Sequence, residues 1–394
     1  MIASEMETVD AKFEISGSYR QLEEMTEDGK RLTAWVSSTS EDAAWDRFLQ
    51  EVPQGQFQQS AMWARTKAAE GWMPVRVLIT LEGKFAGGFQ LLGQSSWPGR
   101  IGYVSKGPVI LPGRPALEEY AIHLLREVAG REGLRALVVQ PPDLCAEMSS
   151  KLESNGFMPN FLTKVNCATW IVGLKEGFEA LEKNMSHTTR NLVRRAVKMG
   201  LTIREGGRQD LVTFFDLMLV SCRHQGVKPN PPELKHLLSL WDALFPSGCV
   251  RLYFAEYEGK PLSGHLDILF GKTATMWKVG GRPGDKALAP NDFIFQRGIQ
   301  WASQNGYDRC DFAAFDRQMA VSILQGNPFS EKQQRSRYLF LTRFGGRPRL
   351  LPLAQVYFPN RLLRSAYRVC LHKQLRKIAA EARAIQGIVA PAEN

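Results

Sequence analysis

The stretch Val75-Arg76-Val77-Leu78-Ile79, followed by Glu82-Gly83-Lys84, Gly88 and Phe89-Gln90-Leu91-Leu92, decides how the rest of the chain reads. It has a second copy. Val250-Arg251-Leu252-Tyr253-Phe254 runs into Glu258-Gly259-Lys260, then Gly264 and Leu266-Asp267-Ile268-Leu269, with the glycine at the same offset. A Gly-Lys pair between two β-rich runs predicts a hairpin, because glycine supplies the backbone freedom that a tight turn needs. Downstream, a helical pattern ends at Gly133 in one copy and Gly306 in the other, and each glycine leads into a strand, Leu134–Val139 and Tyr307–Phe312. Two copies of hairpin, helix, glycine and strand predict a duplicated α/β domain. A duplicated unit usually builds its working site in the cleft between copies.

Composition agrees. A chain of 394 residues has material for two or three domains, each with its own core. With 44% hydrophobic and 23% charged residues it reads as an ordinary soluble globular protein. No apolar run is long enough to span a bilayer, and Met1 to Gly17 lack the apolar segment of a secretory signal. Cys145, Cys167, Cys222, Cys249, Cys310 and Cys370 show neither metal nor redox spacing, which fits reduced thiols in a cytoplasm. The six histidines are equally dispersed, so no metal site is expected. Fifty basic residues against 40 acidic ones give +10, a balance that favours anionic partners such as nucleic acid, nucleotide-linked sugars or an acidic lipid surface.

Residues 1–31 read as a polar, loosely held arm, residues 32–173 as the first domain, 174–351 as the second, and 352–394 as a basic helical tail. In the first domain, Leu32–Val36 and Ile101–Val104 read as strands, and Ala43–Leu49, Ser60–Ala69 and Ala146–Glu153 as helices. Leu117, Tyr120, Ala121, Leu124, Leu125 and Val128 fall on one helical face. Strands around Phe157 and Ala168–Val172 are expected to close this domain. In the second, helices are predicted from Ser186 to Met199, Leu211 to Arg223, Glu233 to Leu244 and Asn291 to Ser303, with a strand over Thr273–Val279.

Several motifs carry a resemblance. They are Phe57-Gln58-Gln59-Ser60-x-x-Trp63-Ala64-x-x-Lys67, Gly71-Trp72-x-Pro74-Val75 and Tyr103-x-Ser105-Lys106-Gly107-Pro108-Val109. The second half adds Arg223-His224-x-Gly226, Ala255-Glu256-x-Glu258-Gly259-Lys260, Ala289-Pro290 before a helix ending Trp301-Ala302, and Phe344-Gly345-Gly346. Together, from about Leu49 to Gly346, they resemble the Fem-type peptidyltransferases, which add amino acids to the peptidoglycan stem peptide from aminoacyl-tRNA. The resemblance implies two tandem GNAT-like (acyl-CoA N-acyltransferase) domains and an amide-forming reaction. In it the carboxyl of an aminoacyl ester is attacked by an amine on a nucleotide- or lipid-linked muropeptide. Such chemistry needs an uncharged amine, donors for the oxyanion and a place for a bulky anion.

The resemblance also implies site residues. Lys67, one helical turn after Trp63, matches a phosphate-contacting lysine; the alternative is a solvated surface lysine. Lys106 either serves the same anion or stays solvated, while Gly107 and Pro108 shape the turn. Trp63, Arg223, Lys278 and Arg343 complete the expected substrate-binding set. Asp311 and Asp316 flank Phe312-Ala313-Ala314-Phe315 where the family has an Asp-x-Gly-Gly position; they are catalytic candidates, with loop capping as the alternative. Asp267 faces either inward or outward from its strand. Arg190, Arg194 and Lys198, at i, i+4 and i+8, form a cationic stripe with no acid between Lys183 and Arg204, a surface suited to tRNA or another anion.

Three positions depart from the family pattern. Its Phe-Lys-x-x-Phe-Gly signature is Phe340-Leu341-Thr342-Arg343-Phe344-Gly345 here, so leucine replaces lysine. An Arg–Tyr pair aligns with Asn230 and Leu234, and an acidic position with Gln140. Arg343 is a candidate substitute for the missing lysine.

Acetyl-CoA is disfavoured, since Gly281-Arg282-Pro283-Gly284-Asp285-Lys286-Ala287 has the wrong spacing for a pyrophosphate loop and carries an acid. No cofactor is expected beyond aminoacyl-tRNA as donor substrate. The tail from Arg361 places Arg364, Arg368, Lys373, Arg376 and Lys377 beside Leu362, Leu363, Ala366, Val369, Cys370 and Leu375. Such a helix either lies on an anionic membrane or packs its apolar side on the first domain, which is the expected arrangement. The sequence therefore predicts a monomeric, cytoplasmic Fem-type aminoacyltransferase, with contact at the inner face of the membrane as a further possibility. A GNAT-like N-acyltransferase of an amino sugar and a non-catalytic tRNA- or membrane-binding relative are the alternatives.

Overall fold

The structure, a computed structural model, describes residues 19–27, 29–97, 99–282 and 288–371. The chain divides into two compact units. One is built from residues up to Val165 together with those from Leu351 onward, the other from Asn166 to Leu350.

The first unit opens with β1 (Arg20–Glu27), β2 (Lys30–Ser37), α1 (Ala43–Glu51) and α2 (Ala61–Ala68). There follow β3 (Met73–Leu81), β4 (Lys84–Ser96), β5 (Gly99–Ser105), β6 (Val109–Ile110), α3 (Pro115–Arg131), β7 (Ala136–Gln140), α4 (Ala146–Ser154) and β8 (Met158–Pro159). The second unit begins with β9 (Ala168–Gly173), α5 (Phe178–Asn184), α6 (His187–Lys198), β10 (Thr202–Gly206), α7 (Leu211–Gln225) and α8 (Leu234–Leu244). It continues through β11 (Val250–Tyr257), β12 (Lys260–Phe270), β13 (Thr273–Gly281), α9 (Pro290–Gln304) and β14 (Arg309–Asp311). It ends with α10 (Arg317–Leu324), α11 (Glu331–Gln334) and β15 (Arg347–Leu350). The chain then returns to the first unit as β16 (Gln355–Tyr357) and α12 (Arg361–Cys370).

Both predicted hairpins form, with the same turn. Glu82 and Gly83 have φ of 49° and 78°, and Glu258 and Gly259 have 50° and 72°. Leu81 pairs with Lys84 and Tyr257 with Lys260. Two consecutive positive φ values match the right-handed twist of the flanking strands, and glycine takes the second without strain.

Strand order shows the duplication again. The first sheet runs β1-β2-β3-β4-β5-β7-β16-β8, with β6 on β4, and the second runs β10-β11-β12-β13-β14-β9-β15. In each, an antiparallel meander ends in a parallel pair, β5 with β7 and β13 with β14, bridged by α3 or α9. The next strand is antiparallel: β16 beside β7, and β9 beside β14. The stripe predicted on α3 is buried in full. Trp45, Phe48 and Phe85 stack in the first core, and Phe295, Phe312, Phe340 and Phe344 interlock in the second.

Three expectations are corrected here. Part of the predicted arm, Arg20–Glu27, is strand β1, because its backbone pairs with β2 from Arg20↔Val36 to Glu27↔Lys30. The segment expected to close the first domain, β9, belongs to the second sheet, between β14 and β15. Residues assigned to the tail supply β16, which takes in the first sheet the slot that β9 takes in the second. The rest of the predicted arm (1–18) and of the tail (372–394) lie outside the described residues.

Candidate functional site

In the first unit, the helix carrying Trp63 and Lys67 is held at its start by Ser60, whose hydroxyl accepts from the Trp63 amide at 3.0 Å. The preceding Gln59 side chain donates to the Ser105 carbonyl at 2.7 Å and accepts from the Gln90 amide at 2.7 Å. This ties the entry of α2 to β4 and β5. A Cβ on Gly107 would lie 2.7 Å from Gln59 Oε1, which accounts for glycine directly after Lys106.

Lys67 is partly buried and paired. Its side chain is 25% exposed, its Nζ stands 5.0 Å from the centre of the Trp63 ring, and it donates to both carboxylate oxygens of Glu70 at 2.8 and 2.9 Å. Lys106 has φ 59° and a buried ammonium paired with Asp143. Asp143 in turn accepts from the Gln56 amide group at 2.7 Å. Trp63 and Lys67 therefore touch, and Lys106 is tied through Asp143 to the turn that precedes their helix. The sequence reading missed both carboxylate partners. Glu70, three residues after Lys67 in the turn that ends α2, was discoverable from its spacing; Asp143 was not.

In the second unit, Ser186 caps α6 by accepting from the Thr189 amide at 3.1 Å, and its own amide donates to the Arg343 carbonyl at 2.8 Å. The Thr189 hydroxyl donates to Asp292 Oδ1 at 3.2 Å. The starts of α6 and α9 and the Arg343 segment thus meet. Burial pushes the Asp292 carboxyl up, while the Thr189 hydrogen bond and the Arg343 charge pull the other way. Asp292 was missed by the sequence reading, although an acid in the first turn after Ala289-Pro290 is a recognisable signal.

Arg194 and Lys198 lie exposed along α6 and enter no ion pair among the described residues; Arg190, a turn earlier, is half-buried. Arg223 is exposed near the end of α7. Lys278 Nζ lies 4.6 Å from the Trp277 ring centre, and the Arg343 guanidinium 5.7 Å from that of Phe340. Asp311 accepts from the Thr169 hydroxyl and from the Ala313 amide at 2.8 Å. Asp316 accepts from the Met319 amide at 2.8 Å as the N-cap of α10. Asp267 points inward, accepting from the Tyr253 hydroxyl at 2.9 Å. The pyrophosphate-loop reading falls largely on residues 283–287, outside the described residues.

A family profile described as an acetyltransferase (GNAT) domain matches residues 183–318. The lipid II:glycine glycyltransferase of Staphylococcus saprophyticus is 28% identical over 233 residues, 56% of this chain and 56% of that protein. Its counterpart in Staphylococcus haemolyticus is 26% identical over 234 residues, covering 56% and 55%. The crystal structure of FemX aligns with a TM-score of 0.71 at 19% identity, over 82% of this chain and 96% of that one, which establishes the fold. The chain is thus similar in sequence to lipid II:glycine glycyltransferases and in fold to FemX. It matches about half the length of the curated relatives.

The departures from the Fem-type pattern have structural meaning. Leu341, where the pattern has lysine, packs against the second core. Gln140 is buried, accepting from the Tyr103 hydroxyl at 3.5 Å and donating to the Pro352 carbonyl at 3.4 Å. A neutral amide fits that enclosed position without the desolvation cost a carboxylate would carry.

Proposed function

We propose that this chain is an amide-forming aminoacyltransferase. It moves an aminoacyl group from aminoacyl-tRNA to an amine of a nucleotide- or lipid-linked peptidoglycan precursor, and acts as a monomer. The observation that carries this reading is the similarity to lipid II:glycine glycyltransferases. The arrangement of Trp63, Lys67 and the Lys106 turn and the exposed Arg194 and Lys198 of α6 support it.

In the reaction, the neutral acceptor amine attacks the ester carbonyl, the carbonyl oxygen takes up negative charge, and collapse expels the tRNA ribose hydroxyl. The proton lost by the amine is accounted for by the hydroxyl that leaves. Lys67 and Lys106 of the first unit are assigned to the acceptor's phosphates, Lys67 exchanging Glu70 for the ligand, and in the second unit Arg223 and Lys278 are assigned to substrate binding. Arg190, Arg194 and Lys198 are assigned to the tRNA backbone. Arg343 stands in for the missing lysine beside Asp292, and the base is sought among Asp292, Asp311 and Asp316. The GNAT profile over 183–318 favours a second reading, an N-acyltransferase acting on an amino sugar.

Purified protein incubated with aminoacyl-tRNA and a lipid- or nucleotide-linked muropeptide is expected to add the mass of one amino-acid residue to the acceptor. Turnover with acetyl-CoA and an amino sugar, and none with aminoacyl-tRNA, would replace this reading with the second.

A further inference from the structure

The helix α12 is attached to the first unit by a narrow strip. Of its residues only Tyr367 is buried; its hydroxyl donates to the Pro159 carbonyl and accepts from the Phe161 amide, both at 2.9 Å. Arg364 is committed to the same side, donating to the Phe358 carbonyl at 2.7 and 3.1 Å and stacking on Tyr357 at 4.6 Å. Among the described residues the opposite side is open. Leu362 is 81% and Val369 77% exposed. Seven residues apart, they lie almost in line on a helix, with Ala366 between them. Arg361 and Arg368, also seven apart and both exposed, form a parallel row, and the helix contains no acidic residue.

A second observation lies at the same end of this sheet. The β4–β5 connection carries Trp97, 95% exposed. β7 starts beside that connection, since Ile101 pairs with Ala136 in parallel, and β16 runs toward it, since Tyr357 pairs with Leu137. α12 therefore leaves the sheet at the end where Trp97 projects. β5 and β16 are two strand spacings apart, roughly 10 Å. Met73, 62% exposed, starts β3 at this end, opposite Gly93 of β4.

We infer that this end of the first unit, Trp97 with the Leu362, Ala366 and Val369 face of α12 and its Arg361–Arg368 row, docks on an anionic lipid bilayer. Exposed apolar side chains beside exposed arginines suit the boundary between acyl chains and anionic headgroups. There the chains gain apolar burial and the guanidinium groups find phosphates. Tryptophan is favoured at such a boundary because its ring is apolar and its N–H polar. The inference deepens the transferase reading, because a lipid-linked acceptor lies at a membrane surface.

Vesicle co-sedimentation tests it without donor or acceptor, so its failure is distinct from failure of the transfer reaction. The full chain is expected to sediment with phosphatidylcholine/phosphatidylglycerol vesicles at low salt, to release as salt is raised, and not to sediment with phosphatidylcholine alone. R361Q/R368Q should weaken binding about thirty-fold, roughly five-fold per arginine. W97A and L362D/V369D should weaken it as well, with thermal melting unchanged because these side chains are exposed. The proposal is overturned if phosphatidylglycerol makes no difference, or if R361Q/R368Q and W97A bind as wild type does. It is also overturned if L362D/V369D only splits a dimer in light scattering, which would make a second copy of the chain the occupant.

Discussion

The hydroxyl of Thr189 reaches Oδ1 of Asp292 at 3.2 Å, joining the first turn of α6 to the first turn of α9. Because the cationic stripe begins on that same turn of α6, the position of the stripe depends on a carboxylate whose proton affinity burial has raised. The charge of Arg343, the proposed substitute for the family lysine, opposes that rise.

If Asp292 serves the reaction, Asp292→Asn should lower the transfer rate by about 10²–10⁴-fold while the protein stays folded. Asparagine keeps an oxygen for Thr189. Asp316→Asn should leave the rate nearly unchanged, because asparagine is as good an N-cap as aspartate. Single-turnover transfer assays on both variants check this; equal effects would reject Asp292 as the distinguishing group.

Lys67→Ala should weaken acceptor binding by about ten- to a hundredfold, the range for a charge-assisted contact of roughly 1.5–3 kcal/mol. Lys67→Arg should restore part of the loss, and Lys84→Ala, the control at an exposed hairpin turn, should leave binding unchanged. Glu70→Gln tests the exchange of partners: it should leave acceptor affinity equal or tighter. Calorimetry with a nucleotide-linked muropeptide reads all four.

Removing the stripe as Arg190→Gln, Arg194→Gln and Lys198→Gln should flatten the salt dependence of tRNA binding. Each lost phosphate contact lowers the slope of log K against log salt by about 0.7–0.9. Filter binding across a salt series measures it, and an unchanged slope would place the tRNA elsewhere.

The Asp46 carboxyl, buried beside Asp42 and accepting from the Ala61 amide at 2.6 Å, is pushed up from 3.8 to about 6 by burial. A raised folded value means that ionisation opposes folding. Stability is full below the unfolded value and falls as pH rises from about 4 through about 6, by roughly 2–3 kcal/mol. Asp46→Asn keeps the Ala61 contact and removes the charge, so its melting temperature should lose this decline. Thermal melts of both proteins between pH 4 and pH 7 provide the comparison.

Val356, fully buried on β16, tests the strand that returns to the first sheet. Val356→Ala should cost about 2 kcal/mol, and lower the melting temperature of that unit by several degrees.

Local signals decided much of this molecule in advance. The two Glu-Gly turns, the α3 stripe and the limits of α6, α7 and α9 each depend on residues within a few positions, so turn chemistry and helical spacing were enough to place them. So was the equivalence of the hairpins, because a repeated turn imposes a repeated register. The membership of β9 and β16 was beyond such reasoning: a strand's own residues do not state which sheet edge will supply its hydrogen bonds. The same holds for the site. Glu70 follows Lys67 by three positions, in the turn that ends α2, so their pairing was open to local reading. Lys106 meets Asp143 across 37 positions and Thr189 meets Asp292 across 103. Whether a charged side chain remains available to a ligand depends on such distant partners, and only the folded chain brings them within reach.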